Sequence, residues 1–424
     1  MYIPYYELAQ KISLFFPKNI GKKIVDAGYD FKLKQNLDYI SKNRQKVFKK
    51  LKGRTHFNVA FYVYDDTKWK CQSVYDLMEE SALFTPYIFV TKNAAPGNNC
   101  NYQTDDDLEK VYDFFKTKDM RVLKAFDCSN QSYIPFEDMK PKPDIIIYQH
   151  PWYVETSQGP VVCSEFALTY YVPYFFSDSE ERFECDLRFH RYIYKYYIPD
   201  DFYKNLYSQY MPDKGQKLVT TGYPFFDYFY LNKEHNEGKY IIYAPHWTVC
   251  GDNMRYGTFD WNGWKILEYA ETHPELNWVF KPHPLLYKFL CTSGYMSKEE
   301  ADEYYNRWRK AGILYDKGDY LDLFQKSRML ITDCGSFLIE YFLTGKPCIH
   351  LRSEDFKGNK LVREICKNYY ETQTVEELEK YLHLLIDEKQ DPKMEDRKNA
   401  LKELSFVNNY CAKNILEDII KGIG

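Results

Sequence analysis

The run 329–351 combines an apolar strand, a turn and a helix in an order that could bind an anion. The strand leads into the turn Asp333–Gly335 and then to Ser336 at the predicted helix start. Gly335 permits a tight turn, and Ser336 can cap a helix end whose first N–H groups have no partner within the helix. Such an end attracts phosphate, and Glu340, one turn further on, could reach a ribose hydroxyl. A capped helix without a ligand is the alternative.

A second candidate is the sequence Lys281-Pro-His283-Pro, which follows the predicted strand NWVF. Ligands of open α/β sheets bind at the carboxyl ends of the strands. The two prolines restrict the backbone around His283. A histidine held in this way can donate to a phosphate oxygen or place positive charge beside a departing group. The alternative is a turn that contains an incidental histidine.

Two further histidines also follow predicted strands. His150 ends the run PDIIIYQHPW in the first half of the chain, and His246 follows the first strand of the second half. If the halves face each other, His150 could remove the proton from an acceptor hydroxyl as a general base. We expect His246 to line the donor site or the cleft. A purely structural histidine is the alternative at both positions.

The elements that must position these residues form two series of alternating strands and helices. One series starts at the apolar run 57–65, and the other restarts after the polar segment 232–238. Such alternation predicts α/β units with parallel sheets. We therefore predict three parts, which are an N-terminal helical segment (1–55), a Rossmann-like acceptor domain (56–231) and a Rossmann-like nucleotide-donor domain with a helical tail (232–424).

Composition excludes several classes of protein. The net charge of -4 does not indicate a nucleic-acid-binding surface. Eleven scattered cysteines without a C-x-x-C pair favour a reducing cytoplasm over a disulfide framework. The chain shows neither a signal peptide nor an apolar run of ~18 residues. Residues 1–25 are mildly amphipathic and could contact the inner face of the plasma membrane, although a helix packed on the protein is the alternative.

The usual nucleotide and metal motifs are absent from the sequence. It contains no G-x-x-x-x-G-K-[ST] loop, no G-x-G-x-x-G and no H-E-x-x-H. The acidic run 105–107 could hold Mg²⁺, but a solvated loop is the preferred interpretation. We therefore predict neither a metal nor a cofactor.

Taken together, the candidate segments resemble the CDP-glycerol:polyol-phosphate glycerophosphotransferase family, which builds teichoic-acid-like polymers. The resemblance covers about residues 140–350 and is carried by PDIIIYQHPW (143–152), YYVPYF (170–175), YIIYAPHWT (240–248), FKPHP (280–284) and LITDCGSFLIEYFLTGKPCI (330–349).

The resemblance implies a GT-B-like α/β fold, in which two Rossmann-like domains with parallel sheets face each other across a cleft. It also implies a CDP-linked donor held without a metal by the second domain. Two departures concern the site. Cys334 and Gly335 replace Tyr and Ser of the commoner Asp-Tyr-Ser-Ser form, and Pro151 replaces the Gly that commonly follows the first-domain histidine.

These observations lead us to expect a transferase that moves a glycerol-phosphate or related group to a glycan or lipid-linked acceptor. The alternatives are a GT-B glycosyltransferase that uses a CMP- or UDP-sugar and a non-catalytic scaffold that binds a nucleotide or glycan. The expected catalytic residues are His150 and His283, and the expected donor-binding residues are Lys281, His246, Asp333, Gly335, Ser336 and Glu340.

Overall fold

The computed structural model of the chain describes residue 12 and residues 18–97, 102–180, 182–232, 238–248, 256–316, 320–404 and 410–424. The strands of the first half are β1 (Phe57–Val63), β2 (Phe84–Val90), β3 (Val122–Lys124), β4 (Phe126–Asp127), β5 (Ser132–Tyr133), β6 (Ile145–Tyr148), β7 (Leu168–Tyr171), β8 (Lys195–Ile198) and β9 (Leu218–Thr220). Seven of them form a parallel sheet in the order β3-β2-β1-β6-β7-β8-β9, and β4 and β5 form an antiparallel hairpin.

A second parallel sheet contains the strands β10 (Tyr240–Ala244), β11 (Asn277–Phe280), β12 (Ile313–Leu314), β13 (Ser327–Thr332), β14 (Cys348–Leu351) and β15 (Tyr370–Thr372). Its order is β12-β11-β10-β13-β14-β15, which is the strand order of a Rossmann sheet. The first sheet has the same order with one added strand. The predicted α/β class with parallel sheets is confirmed, and we refer to the units built on the two sheets as the first and second domains.

Helices connect and cover the strands. Those before the second sheet are α1 (Lys18–Leu51), α2 (Gln72–Glu80), α3 (Asp105–Thr117), α4 (Pro160–Cys163), α5 (Arg182–Cys185), α6 (Arg188–Tyr192), α7 (Asp201–Tyr210) and α8 (Asp227–Leu231). Those that follow are α9 (Phe259–Thr272), α10 (Leu286–Thr292), α11 (Lys298–Ala311), α12 (Leu321–Lys326), α13 (Gly335–Phe342), α14 (Lys360–Cys366), α15 (Val375–Leu382), α16 (Met394–Glu403) and α17 (Cys411–Ile423).

Many tyrosines lie in the core rather than on a binding surface. Tyr148, Tyr304 and Tyr369 are fully buried, and their hydroxyls donate to backbone carbonyls at 2.7, 2.9 and 2.9 Å. A buried tyrosine that donates in this way contributes apolar area without leaving an unpaired polar group.

The acidic run 105–107 is helical, so the predicted loop is wrong. Thr104 accepts from the backbone N–H of Asp107, and the Asp107 carboxylate accepts from that of Thr104 at 2.9 Å. This capping box starts α3 three residues before the predicted helix at 108–118, and the negative charges complement the positive end of the helix.

The N-terminal segment is helical from Lys18 to Leu51. Most of the predicted membrane contact at residues 1–25 lies outside the described residues. Within the described part of the chain, no helix combines the length and the apolar character that crossing a membrane requires.

The last helix packs on the first sheet, although the predicted second domain extended to residue 424. Ala412, Ile415 and Ile419 are buried in the same cluster as Val59 and Phe61 of β1. The apolar face of α17 therefore joins the core of the first domain after the chain has completed the second.

Asp227, at the start of α8, holds α17 in this position on the first domain. Its fully buried carboxylate accepts from Ser73 Oγ at 2.8 Å and from the backbone N–H groups of Cys411 and Ala412 at 2.7 and 2.9 Å. It thus caps α17 and ties it to the segment that joins the two domains.

We expect Asp227→Asn to lower the free energy of unfolding by about 2 kcal/mol, because the new amide would point N–H groups at N–H donors. Urea denaturation measures this change. Asp322→Asn is the control, since Asp322 is exposed in the first turn of α12. Equal stabilities of the two variants would contradict the assigned role of Asp227.

Candidate active site between the domains

The predicted residues lie at the carboxyl ends of the parallel strands, beside the two points where the strand order reverses. His150 follows β6, which pairs with β1 in the first sheet. His246 follows β10, and the turn Asp333–Gly335 follows its partner β13. Lys281 and His283 follow β11, the other neighbour of β10. Ligands of open α/β sheets bind in the crevice at such a reversal.

Asp333 holds the second-domain loops together. One carboxylate oxygen accepts from the His246 N–H at 2.6 Å, and the other accepts from the Thr258 N–H and hydroxyl at 2.7 and 2.9 Å. Asp333 is buried, and burial raises its pKa while these donors oppose the rise. Because both oxygens are engaged within the protein, Asp333 positions the loops rather than presenting its charge to a phosphate.

His246 and His283 form a pair of neutral hydrogen-bond donors. Their ring centroids are 5.5 Å apart. In each ring Nδ1 accepts from the backbone N–H two residues later, which belongs to Thr248 at 3.3 Å and to Leu285 at 3.1 Å. The proton of the neutral ring therefore lies on Nε2.

Electrostatics keep this pair neutral near pH 7. Burial lowers the pKa of His246 to about 4. Burial also lowers the pKa of His283 well below its ordinary value, as do the neighbouring His246 and Lys281. His283 can thus donate a hydrogen bond to a phosphate oxygen. The sequence analysis also considered a positive charge on His283, and in the structure such a charge must come from another side chain.

The start of α13 contacts the first domain. A Cβ atom added to Gly335 would lie 1.7 Å from Oδ2 of Asp178, which lies in the segment after β7. No side chain larger than hydrogen fits there while Asp178 holds this position. Ser336 is half-buried beside Cys334, with Oγ 3.6 Å from Sγ. A first-domain carboxylate therefore lies at the helix end where the sequence predicts a phosphate.

The same first-domain segment is bonded to α14. The Asp178 carbonyl accepts from the Asn359 N–H at 2.5 Å, and the Asn359 side chain donates to the Ser177 carbonyl at 2.8 Å. Asn359 also caps α14 by accepting from the Val362 N–H at 2.9 Å. These bonds join the two domains directly.

Glu340 is buried between the domains rather than open to a ribose. Its Oε2 accepts from the Tyr320 hydroxyl at 2.6 Å, and that hydroxyl accepts from Lys70 Nζ at 3.0 Å. Burial raises the pKa of Glu340, and Lys70 opposes the rise. Lys70 and Tyr320 were missed from the sequence, because neither belongs to a recognisable motif.

His150 is fully buried in the first domain. Its ring centroid lies 4.2 Å from that of Tyr64 and 5.3 Å from that of Tyr174. Neither of its nitrogens has a hydrogen-bond partner among the described residues, and the same holds for Nε2 of Gln149. Unpaired buried polar atoms are costly and clustered ones mark a site that a polar ligand could satisfy.

Three side chains of the types that bind metal ions lie together at the edge of the second sheet. Ligand atoms of His350, Cys366 and Glu371 fall within 4.8 Å of one another. His350 Nδ1 and Glu371 Oε1 are 3.2 Å apart. Arg352 and Lys393 act electrostatically on both Cys366 and Glu371, and their positive charges disfavour a bound cation.

Comparisons with protein families and with curated proteins find no match to this chain. Solved structures do match. The wall teichoic acid polymerase TagF has a TM-score of 0.56 and 13% identity, over 96% of this chain and 98% of that chain. The UDP-GlcNAc 2-epimerase from Neisseria meningitidis, bound to UDP-GlcNAc, has a TM-score of 0.53 and 16% identity, over 86% and 99%. The S. aureus MnaA-UDP co-structure has a TM-score of 0.53 and 11% identity, over 87% and 97%.

The fold is of the GT-B type. The resemblance to teichoic-acid-type transferases that the sequence indicated is therefore confirmed at the level of the fold.

The burial of His150 has a measurable consequence for stability. Burial, assisted by Lys68, lowers the pKa of His150 to about 3. The unfolded chain takes up this proton near pH 6.5 and the folded chain does not, so the contribution to stability is present above 6.5 and is lost as the pH falls. Between pH 6 and 4, we expect the free energy of unfolding of the wild type to fall by about 1.4 kcal/mol per pH unit more than that of His150→Gln.

Urea denaturation at several pH values measures this difference. The control is His383→Gln. Asp387 raises the pKa of the exposed His383, so the contribution of His383 to stability changes with pH in the opposite direction. The stability due to His383 is present below pH 6.5 and is lost as the pH rises through its folded pKa. Parallel curves for the wild type and His150→Gln would show that His150 is not held neutral in the fold.

Proposed function

We propose that this protein transfers a glycerol-phosphate or related alditol-phosphate group from a CDP-linked donor to a hydroxyl of a cell-surface glycan or lipid-linked polymer. The acceptor oxygen forms a new bond to the donor phosphorus that bears the alditol. The bond from that phosphorus to the oxygen of CMP breaks, and CMP leaves. The proton of the acceptor hydroxyl passes to His150.

The paired imidazoles of His246 and His283 are the observation that carries this proposal. Their Nε2–H groups are neutral donors beside Lys281 and the N-terminus of α13, at the strand reversal of the second sheet. Fixed donors, a lysine and a helix end together suit the phosphates of a nucleotide donor. A TagF structure with the same fold was obtained after a soak with CDPG, which supports a CDP-linked donor.

His150 must become accessible before it can act as a base. With a pKa of about 3 in its buried state it would bind a proton weakly. A hydroxylated acceptor that separates the Tyr64 and Tyr174 rings would restore a polar environment and raise this pKa towards its ordinary value. Acceptor binding would thus activate the base, and closure would limit hydrolysis of the donor.

A nucleotide-sugar donor is the second candidate. The epimerase neighbours, one of which is bound to UDP-GlcNAc, favour it. The same phosphate contacts would serve a CMP- or UDP-sugar, and attack would then fall on the anomeric carbon. The third reading is a scaffold that binds a nucleotide or glycan without turnover.

A donor panel separates these functions. The purified chain is incubated with CDP-glycerol, CDP-ribitol, CMP-sugars or UDP-sugars, a glycan acceptor and EDTA, and nucleotide release is measured. We expect CMP release from a CDP-alditol. Release only from a sugar donor would establish the glycosyltransferase, and tight binding without release would establish the scaffold.

Single variants then test the two histidines. His150→Ala should bind the donor within about twofold of the wild type and lose ~100-fold or more in turnover, as expected for a general base. His283→Ala should weaken donor binding about tenfold, as expected for a lost contact to a charged group. The exposed His383→Ala is the matched control and should keep full activity. Full activity in both site variants would overturn the assignment.

A further inference from the structure

Lys70 reaches from the first domain into the second. It follows β1, and only 5% of its surface is exposed. Its Nζ donates to the Tyr320 hydroxyl at 3.0 Å, and that hydroxyl donates to Glu340 at 2.6 Å. Because Tyr320 and Glu340 belong to the second domain, this buried chain of hydrogen bonds crosses the interface.

Lys281 approaches the same tyrosine from the second domain. It is 7% exposed, and its Nζ lies 4.7 Å from the centre of the Tyr320 ring and 5.5 Å from that of Phe337, in the first turn of α13. Lys70 Nζ lies 4.5 Å from the centre of the Tyr320 ring. Two ammonium groups from opposite domains therefore lie near one aromatic ring beside the start of α13.

The two ammonium groups influence each other inside the interface. Burial, followed by the charge of Lys70, lowers the pKa of Lys281 to about 8. Glu340 is the buried carboxylate that faces both lysines. Holding two buried like charges so close is unfavourable, and an anion with two negative charges would relieve the repulsion.

We propose that Lys70 and Lys281 jointly bind the diphosphate of the nucleotide donor, with Lys70 supplied by the first domain when the cleft closes. This inference rests on the proposed function for the identity of the donor. Lys281 meets the diphosphate at the start of α13. Lys70 then exchanges the Tyr320 hydroxyl for a phosphate oxygen, which is the stronger acceptor. Binding of the diphosphate is thereby linked to closure.

Inorganic pyrophosphate and CDP are the probes, and cytidine is the uncharged comparison. Isothermal titration calorimetry with the full chain measures their affinities. Lys70→Met keeps an unbranched apolar side chain at this position and removes the charged Nζ, which lies 3.6 Å from the centre of the Phe225 ring. We expect it to bind pyrophosphate and CDP about tenfold more weakly while cytidine affinity is unchanged, and we expect Lys70→Arg to recover most of the loss.

The variant Tyr320→Phe distinguishes a role of Lys70 in anion binding from a purely structural hydrogen bond to Tyr320. It removes the hydroxyl that Lys70 contacts and leaves both lysines, so pyrophosphate affinity should stay equal to or above that of the wild type. Lys265→Ala, an exposed lysine on α9, is the surface control. If Lys70→Met lowers the melting temperature but binds pyrophosphate within twofold of the wild type, Lys70 is a structural bridge and the inference is wrong.

Failure of the proposed function and failure of the two-lysine site would give different results. If no CDP-alditol is turned over but pyrophosphate binding still depends on Lys70, the anion site stands and the assigned reaction falls. If CDP-alditol turnover is present and pyrophosphate affinity is insensitive to Lys70→Met and Lys70→Arg, the reaction stands and the two-lysine site falls.

Discussion

The buried carboxylate of Asp333 is the constraint on which the second-domain site depends. It lies at the point where the strand order of the sheet reverses, and it binds the backbone of the loop after β10 and the start of α9. His246 is held through its own N–H, so its ring can accept a second backbone bond at Nδ1. One buried anion thereby fixes the loop that carries His246 and the start of α9 relative to each other.

Burial then decides which side chains can carry charge. It makes His246 and His283 neutral donors, so a phosphate bound there must be balanced by lysine or by the helix end. Lys281 remains mostly protonated near neutral pH because its pKa stays at about 8. The cleft therefore combines neutral imidazole donors with buried ammonium groups.

The sequence predicted the α/β class. It also predicted the strands and the turns that follow them in the segments 240–248, 280–284 and 330–349, because an apolar strand that ends in a turn is a local pattern. Strands β7, β8 and β9 were missed because each has only three or four residues, and β7 and β8 carry paired tyrosines instead of a continuous aliphatic run. The pairing of Lys70 with Tyr320 and of Asp178 with Gly335 was not predictable. Both contacts join residues far apart in sequence, and only the packing of the two domains brings them together.

The segment 172–180 connects the two halves of the proposed chemistry. Tyr174 covers the ring of His150, and Asp178 occupies the helix end at Gly335. A diphosphate at Gly335 would repel the Asp178 carboxylate, and an acceptor at His150 would displace the Tyr174 ring. Because a few residues of one segment carry both contacts, moving it away would open the base and the phosphate site together. The sequence YYVPYF (170–175), which contributed to the resemblance, overlaps the start of this segment and contains Tyr174.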